Sequence, residues 1–177
     1  MHRFIPLALI LGLLYGCGPQ KMSPADIATE KKAIESLVAN FWKAVESKNP
    51  AAVTKLFTTS GDFLFFGTDS AEVMRTIPQW ESQAKYDWEL FQTVKIGEMK
   101  NFSSVLADDG GVGSIVCEIP ADMTVGGQMT HSLFRFAAAV RKENSEWHFV
   151  HCMAAVATVG QSSAELVAKM KATPAKE

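Results

Sequence analysis

The sequence predicts an α+β domain in which one long, curved antiparallel sheet wraps over N-terminal helices and makes a cone with an open mouth. Two observations carry this. Apolar residues recur at intervals of three and four through the first part of the chain, and from Asp87 onward they recur at intervals of two. Helices gathered ahead of a run of strands mean α+β rather than an alternating α/β order.

The elements follow in chain order. Ser23-Pro24-Ala25-Asp26 is a helix start, with Ser at the cap, Pro in the first turn and an acid close behind. Ile27, Ile34, Leu37, Val38, Phe41, Trp42 and Val45 then form one apolar stripe to about Ser47. Asn49-Pro50 ends that helix and caps a second, short one carrying Val53, Leu56 and Phe57. Ser60-Gly61 turns the chain into a strand over residues 62–67, whose Phe63-Leu64-Phe65-Phe66 run is apolar on both faces. Asp69 and Glu72 have the spacing of a helix cap, so a third helix is expected from there. Val73, Ile77 and Trp80 would face inward, and Pro78 would keep that helix short or bent.

Trp88, Leu90, Val94 and Ile96 alternate as one long strand. Strands over 101–107 and 112–119 flank the turn cluster Asp108-Asp109-Gly110-Gly111, and Gly126-Gly127 marks another break. Residues 130–141 and 147–159 form a hairpin around Lys142-Glu143-Asn144-Ser145. Residues 162–171 read as a weak terminal helix.

The first residues divide into zones of their own. Met1-His2-Arg3 is a small positive start, residues 4–15 are almost wholly apolar, and Gly16-Cys17-Gly18 breaks the run. A membrane-spanning helix needs about 20 apolar residues, so this shorter run reads as a signal segment that is removed. Leu14-Tyr15-Gly16-Cys17 resembles the lipobox of bacterial lipoproteins, in which the Cys is acylated and becomes the first mature residue. Tyr15 stands where that motif has a small residue, which leaves ordinary cleavage and a soluble periplasmic product as the alternative. Gly18 after the Cys suggests, by the same resemblance, the periplasmic face of the outer membrane in a Gram-negative cell envelope. The chain thus divides into a signal peptide at 1–16, a lipidated tether at 17–24, one domain at 25–160 and a tail at 161–177.

The 177 residues carry 17 Lys and Arg against 19 Asp and Glu, a net charge of −2 with no basic stripe, so nucleic acid is excluded as a partner. The expected membrane contact is through a lipid on Cys17. With Cys17 so used, Cys117 and Cys152 remain, and two small buried thiols are expected although the compartment would permit a disulfide. His131, His148 and these thiols lack zinc-type spacing, so neither metal nor cofactor is expected.

Three stretches, in this order, resemble the SnoaL-like, ketosteroid-isomerase-like branch of the nuclear transport factor 2-like superfamily. They are residues 41–49 (FWKAVESKN), residues 65–72 (FFGTDSAE), and the hairpin from Arg135-Phe136 through residues 141–150 (RKENSEWHFV). The resemblance covers about residues 30–160. It implies a cone-shaped, cystatin-like fold, an interior that takes a small molecule, and pairing of two copies through the outer face of the sheet. The family's polar interior positions are occupied here by Ala137, Met153 and Ala155.

Candidate site residues follow from strand parity. His151 shares the parity of Trp147, Phe149 and Met153, so it would face the interior and serve as acid or base near neutral pH, or else be a hydrogen-bonded core histidine. Arg135 depends on the hairpin: a three-residue loop turns it inward, where it could hold an anion, and a two-residue loop turns it out. Trp42, Leu64, Phe66, Trp80, Trp88 and Met153 would line an apolar pocket or simply fill the core. Asp69, Glu72 and Asp62 have full explanations as cap and turn residues. Tyr86 has no carboxylate partner that would make a ketosteroid-type pair. The expected function is a lipid-anchored envelope protein that binds a small, largely apolar ligand or a partner. The alternatives are an isomerase, cyclase or hydrolase working through His151 and Arg135, and a structural envelope protein with a filled cavity.

Overall fold

The computed structural model describes residues 21–172. The signal segment, Cys17 and the end of the tail lie outside the described residues. Among the described residues no helix is long and apolar enough to cross a membrane.

Helix α1 (Pro24–Glu46) starts where the caps place it, with the Ser23 side chain accepting from the Asp26 amide. Its stripe is buried at Ile34, Leu37, Val38, Phe41 and Trp42. A short α2 (Pro50–Thr54) follows, capped by Asn49. Strand β1 (Leu64–Phe66) and the two-residue β2 (Val73–Met74) form a small hairpin, before α3 (Ile77–Leu90). Then come β3 (Thr93–Ile96), β4 (Lys100–Leu106), β5 (Val112–Val125), β6 (Gln128–Glu143) and β7 (Glu146–Val156). Helix α4 (Ser163–Ala172) closes the described chain and buries no residue.

The strands form one curved, unclosed sheet of order β2-β1-β7-β6-β5-β3, with β4 also paired to β5. Strand β5 is long enough to serve two neighbours: Gly113 to Glu118 pair with β4, and Ala121 to Thr124 pair with β3. That sharing opens the sheet toward β3 and gives the cone its mouth. One pairing departs from the expected all-antiparallel sheet, since β1 runs parallel to β7.

Two expected elements move. The third helix begins at Ile77, not near Ser70, because Thr76 supplies the cap and Pro78 sits in the first turn, where its missing N–H costs nothing. Glu72 still accepts from free amides, those of Thr68 (2.6 Å) and Asp69 (3.1 Å), but it does so across the β1–β2 turn. Trp88 and Leu90 lie on α3, not on a strand. Lys48 donates to the carbonyls of Trp88 (2.8 Å) and Phe91 (2.7 Å), which ends the helix there and delays β3 to Thr93.

The core is an aromatic stack between α1 and the concave sheet. Phe41 lies flat on Phe136 at 5.4 Å and meets Phe149 edge-on at 5.5 Å. Burying each such ring contributes about 1.5–3 kcal/mol, and these contacts fix α1 against β6 and β7. At the far end Glu30 accepts from Lys142 (2.6 Å) and from the Trp147 indole (2.7 Å), tying α1 to the β6–β7 hairpin. Cys117 and Cys152 are buried free thiols, and burial pushes the Cys117 thiol up to about 11.

Candidate functional site

Strand parity decides which side chains reach the interior, and β7 changes parity midway. The β6–β7 loop has two residues, Asn144 and Ser145, both at positive φ (50° and 70°), so Glu143 pairs with Glu146. Pairing continues to Val140–Phe149 and then resumes at Ala139–His151. Val150 is therefore an extra residue, a β-bulge. Trp147 and Phe149 point inward before it, and Cys152 and Ala154 point inward after it. His151 and Met153 are turned outward, and Met153 is 49% exposed. Their expected interior placement is thereby corrected: the parity count across residues 147–153 missed one inserted residue.

Arg135 is also on the outer face. Its side chain is 66% exposed and pairs with Glu118 of β5 at 3.3 Å. On β1 the same alternation buries Phe63 and Phe65 and turns Leu64 and Phe66 outward, opposite His151 and Met153 respectively. None of Leu64, Phe66, Arg135, His151 and Met153 lines the cavity, so the sequence-based pocket is corrected at these five positions. Ala137 lies beside Met153 on β6 and so belongs to the outer face as well. Tyr86 is exposed, and His131 pairs with Asp122 outside at 2.6 Å.

The cavity itself is about 300 Å³ and opens at the cone's mouth between α1, the β1–β2 hairpin, α3 and β3. Trp42, Trp80 and Trp88 stand on its wall, as the sequence suggests, and Trp80 meets Trp88 edge-on at 6.3 Å. Phe65 and Phe134 extend the apolar surface. Trp42 is only 7% exposed, and among the described residues its buried indole N–H has no acceptor.

The polar part of the wall joins Glu72, which the sequence offers only as a cap residue, to Gln83 and Asp87, which the sequence does not single out. Gln83 donates from one amide nitrogen to Glu72 Oε1 (3.2 Å) and to Asp87 Oδ1 (3.0 Å). All three side chains line the cavity, together with Thr68. Burial raises the Asp87 carboxyl above its ordinary range. The Gln83 hydrogen bond opposes that rise, and the charge of Glu72 adds to it. Among the described residues no Lys, Arg or His lines this cavity. A signal did exist, because Trp80, Gln83, Ala84, Asp87 and Trp88 recur at three and four with two polar members inside an apolar stripe. Reading Trp88 into a strand concealed it.

Residues 34–158 match the family model described as SnoaL-like domain. Similar solved structures include a nuclear transport factor 2-like superfamily protein from Salmonella enterica serovar Typhimurium. It is 16% identical with a TM-score of 0.67, over 77% of this chain and 98% of that one. The hexachlorocyclohexane dehydrochlorinase LinA-type3 from Novosphingobium barchaimii is 9% identical with a TM-score of 0.67, over 77% of this chain and 92% of that one. LinA is 14% identical with a TM-score of 0.68, over 77% and 92%. At such identities the likeness is one of fold. No curated protein matches the sequence.

Proposed function

We propose, starting from a chain that belongs to the SnoaL-like domain family, that its cone binds a small, largely apolar molecule at a bacterial cell envelope. The observation that carries this reading is the cavity of about 300 Å³ that three tryptophans wall without filling. That volume lies at the lower end of ordinary small-ligand sites, which are mostly apolar with a few placed polar groups. A cone plugged by its own side chains, the third expectation, fits poorly with such a space. Native mass spectrometry of the purified protein tests the reading. A bound small molecule is expected, and it should be lost in Val94→Phe, which adds bulk to the cavity wall. A protein that carries nothing, and whose tryptophan emission no apolar probe perturbs, would sink it.

The enzyme reading is favoured by one observation, a carboxyl group with raised proton affinity on the wall of that cavity. Asp87 would then take the acid–base role first given to His151. Under this reading Asp87→Asn abolishes turnover in an isomerase, cyclase or hydrolase panel, whereas His151→Ala leaves it intact. The reverse result would return the role to His151.

Anchoring by a lipid on Cys17, at the periplasmic face of the outer membrane, is supported by the short apolar run ahead of Leu14-Tyr15-Gly16-Cys17. Cys17→Ser is expected to move the protein from the membrane to the soluble fraction. Unchanged membrane attachment would refute the lipid. Pairing of two copies through the outer face is supported by an outward apolar row across four strands, with Phe66, Met153 and Val116 exposed and Ala137 half-buried among them. Phe66 is 42% and Val116 53% exposed. Such a face normally marks a contact surface.

A further inference from the structure

The ligand reading leaves the charge of the cavity unexplained. Glu72 has a local task, since it holds the β1–β2 turn through the Thr68 and Asp69 amides. Asp87 has none of that kind. It lies in the last turn of α3, where the helix dipole disfavours an anion, and burial disfavours its charge further. Its only hydrogen-bond partner among the described residues is Gln83, which serves Oδ1 and leaves Oδ2 without one. Lys48, the cation tied to the end of α3, spends its ammonium on the carbonyls of Trp88, Phe91 and Gln92. The cavity is therefore an aromatic enclosure with two carboxylates and, among the described residues, no lining cation.

We propose that this cavity selects a compact amine, held as its ammonium ion against Asp87 and Glu72 with its apolar body among Trp80, Trp88 and Phe91. The inference rests on the small-ligand reading and names the chemical class of the ligand. An ammonium carries three donors and can satisfy the free Asp87 oxygen while also meeting Glu72. The same charge is attracted to aromatic faces, most strongly to tryptophan. An anionic ligand would meet two like charges in a partly desolvated site, and a neutral one would leave Asp87 as it stands.

Three probes of one shape test the proposal: 2-phenylethylamine, 2-phenylethanol and 3-phenylpropionate, titrated calorimetrically into the purified protein at pH 7.5 and low salt. The amine is expected to bind at least about tenfold more tightly than the alcohol, and the carboxylate more weakly than either. In Asp87→Asn the preference for the amine should disappear while alcohol binding persists, which also shows that the variant is folded. Equal affinity for amine and alcohol, tightest binding of the carboxylate, or an undiminished amine preference in Asp87→Asn would each overturn the amine assignment and leave the cavity reading standing. Binding of none of the three would overturn both.

Discussion

Gln83 and Asp87, one turn apart on α3, are joined by a 3.0 Å hydrogen bond on the wall of the cavity. The bond offsets only part of the cost of burying Asp87, whose carboxyl stays raised above its unfolded value of 3.8. A raised acid weakens the fold. The penalty is absent below the unfolded pKa and is fully present once pH exceeds the folded one. Asp87→Asn is therefore expected to stabilise the protein at pH 7, by about 0.5–1 kcal/mol, and to give no gain at pH 3. Thermal unfolding at the two pH values checks this, and a loss of stability at pH 7 would show that Asp87 has a structural partner instead.

Glu143 has the opposite sign. The hydroxyls of Thr58 and Thr59, the Thr59 amide and Arg141 all bond its carboxylate, and together they hold it down to about 2. Its contribution is present above the unfolded value of 4.5 and is lost as pH falls toward 2. Glu143→Gln should cost about 1–2 kcal/mol at pH 7, and the gap from the parent should close on acidification. A gap that stays constant with pH would mean that the charge of Glu143 is irrelevant.

Gly67 touches the site through its missing side chain. A Cβ there would lie 2.6 Å from Glu72 Cβ and would also strike the Glu72 carboxylate. Gly67→Ala is expected to displace Glu72, cost about 1–3 kcal/mol and free Gln83 from one of its two acceptors. Denaturant unfolding and the amide shifts of Thr68 and Asp69 report the change. Parent-like values in both would show that the turn can relax.

Val116 stands at the β5 end of the outward apolar row. Lysine at this exposed position should leave the fold intact. In a two-fold pair it would place two like charges in one interface, a cost of several kcal/mol. Sedimentation should find the parent dimeric and Val116→Lys monomeric at micromolar concentration. A parent that is already monomeric, or a variant that still pairs, would remove this face as the contact.

The architecture was legible where local chemistry and periodicity agree. On α1 the cap, proline and stripe all point the same way. On β6 the long alternation left little room for another reading. Legibility failed where one physical signal served two structures. Glu72 caps amides equally well in a turn and in a helix, and the row Trp80, Ala84, Trp88 continues into Val94 and Ile96 without a visible break. The helix stops there because Lys48, distant in sequence, binds its last carbonyls. The site suffered most, because membership of the interior rests on counting residues in pairs, and Val150 breaks the count. Trp42, Trp80 and Trp88 survived because helical faces do not depend on that count.

A single inserted residue in the last strand therefore acts as a selector for everything downstream of it. Remove Val150 and the segment from His151 onward would exchange sides: imidazole and thioether would enter the hollow, while a thiol and a methyl would pass to the skin that a second copy would have to match. The inner and outer faces of this strand are geared to the same tooth, so a descendant of this chain cannot revise one by a length change here without rewriting the other.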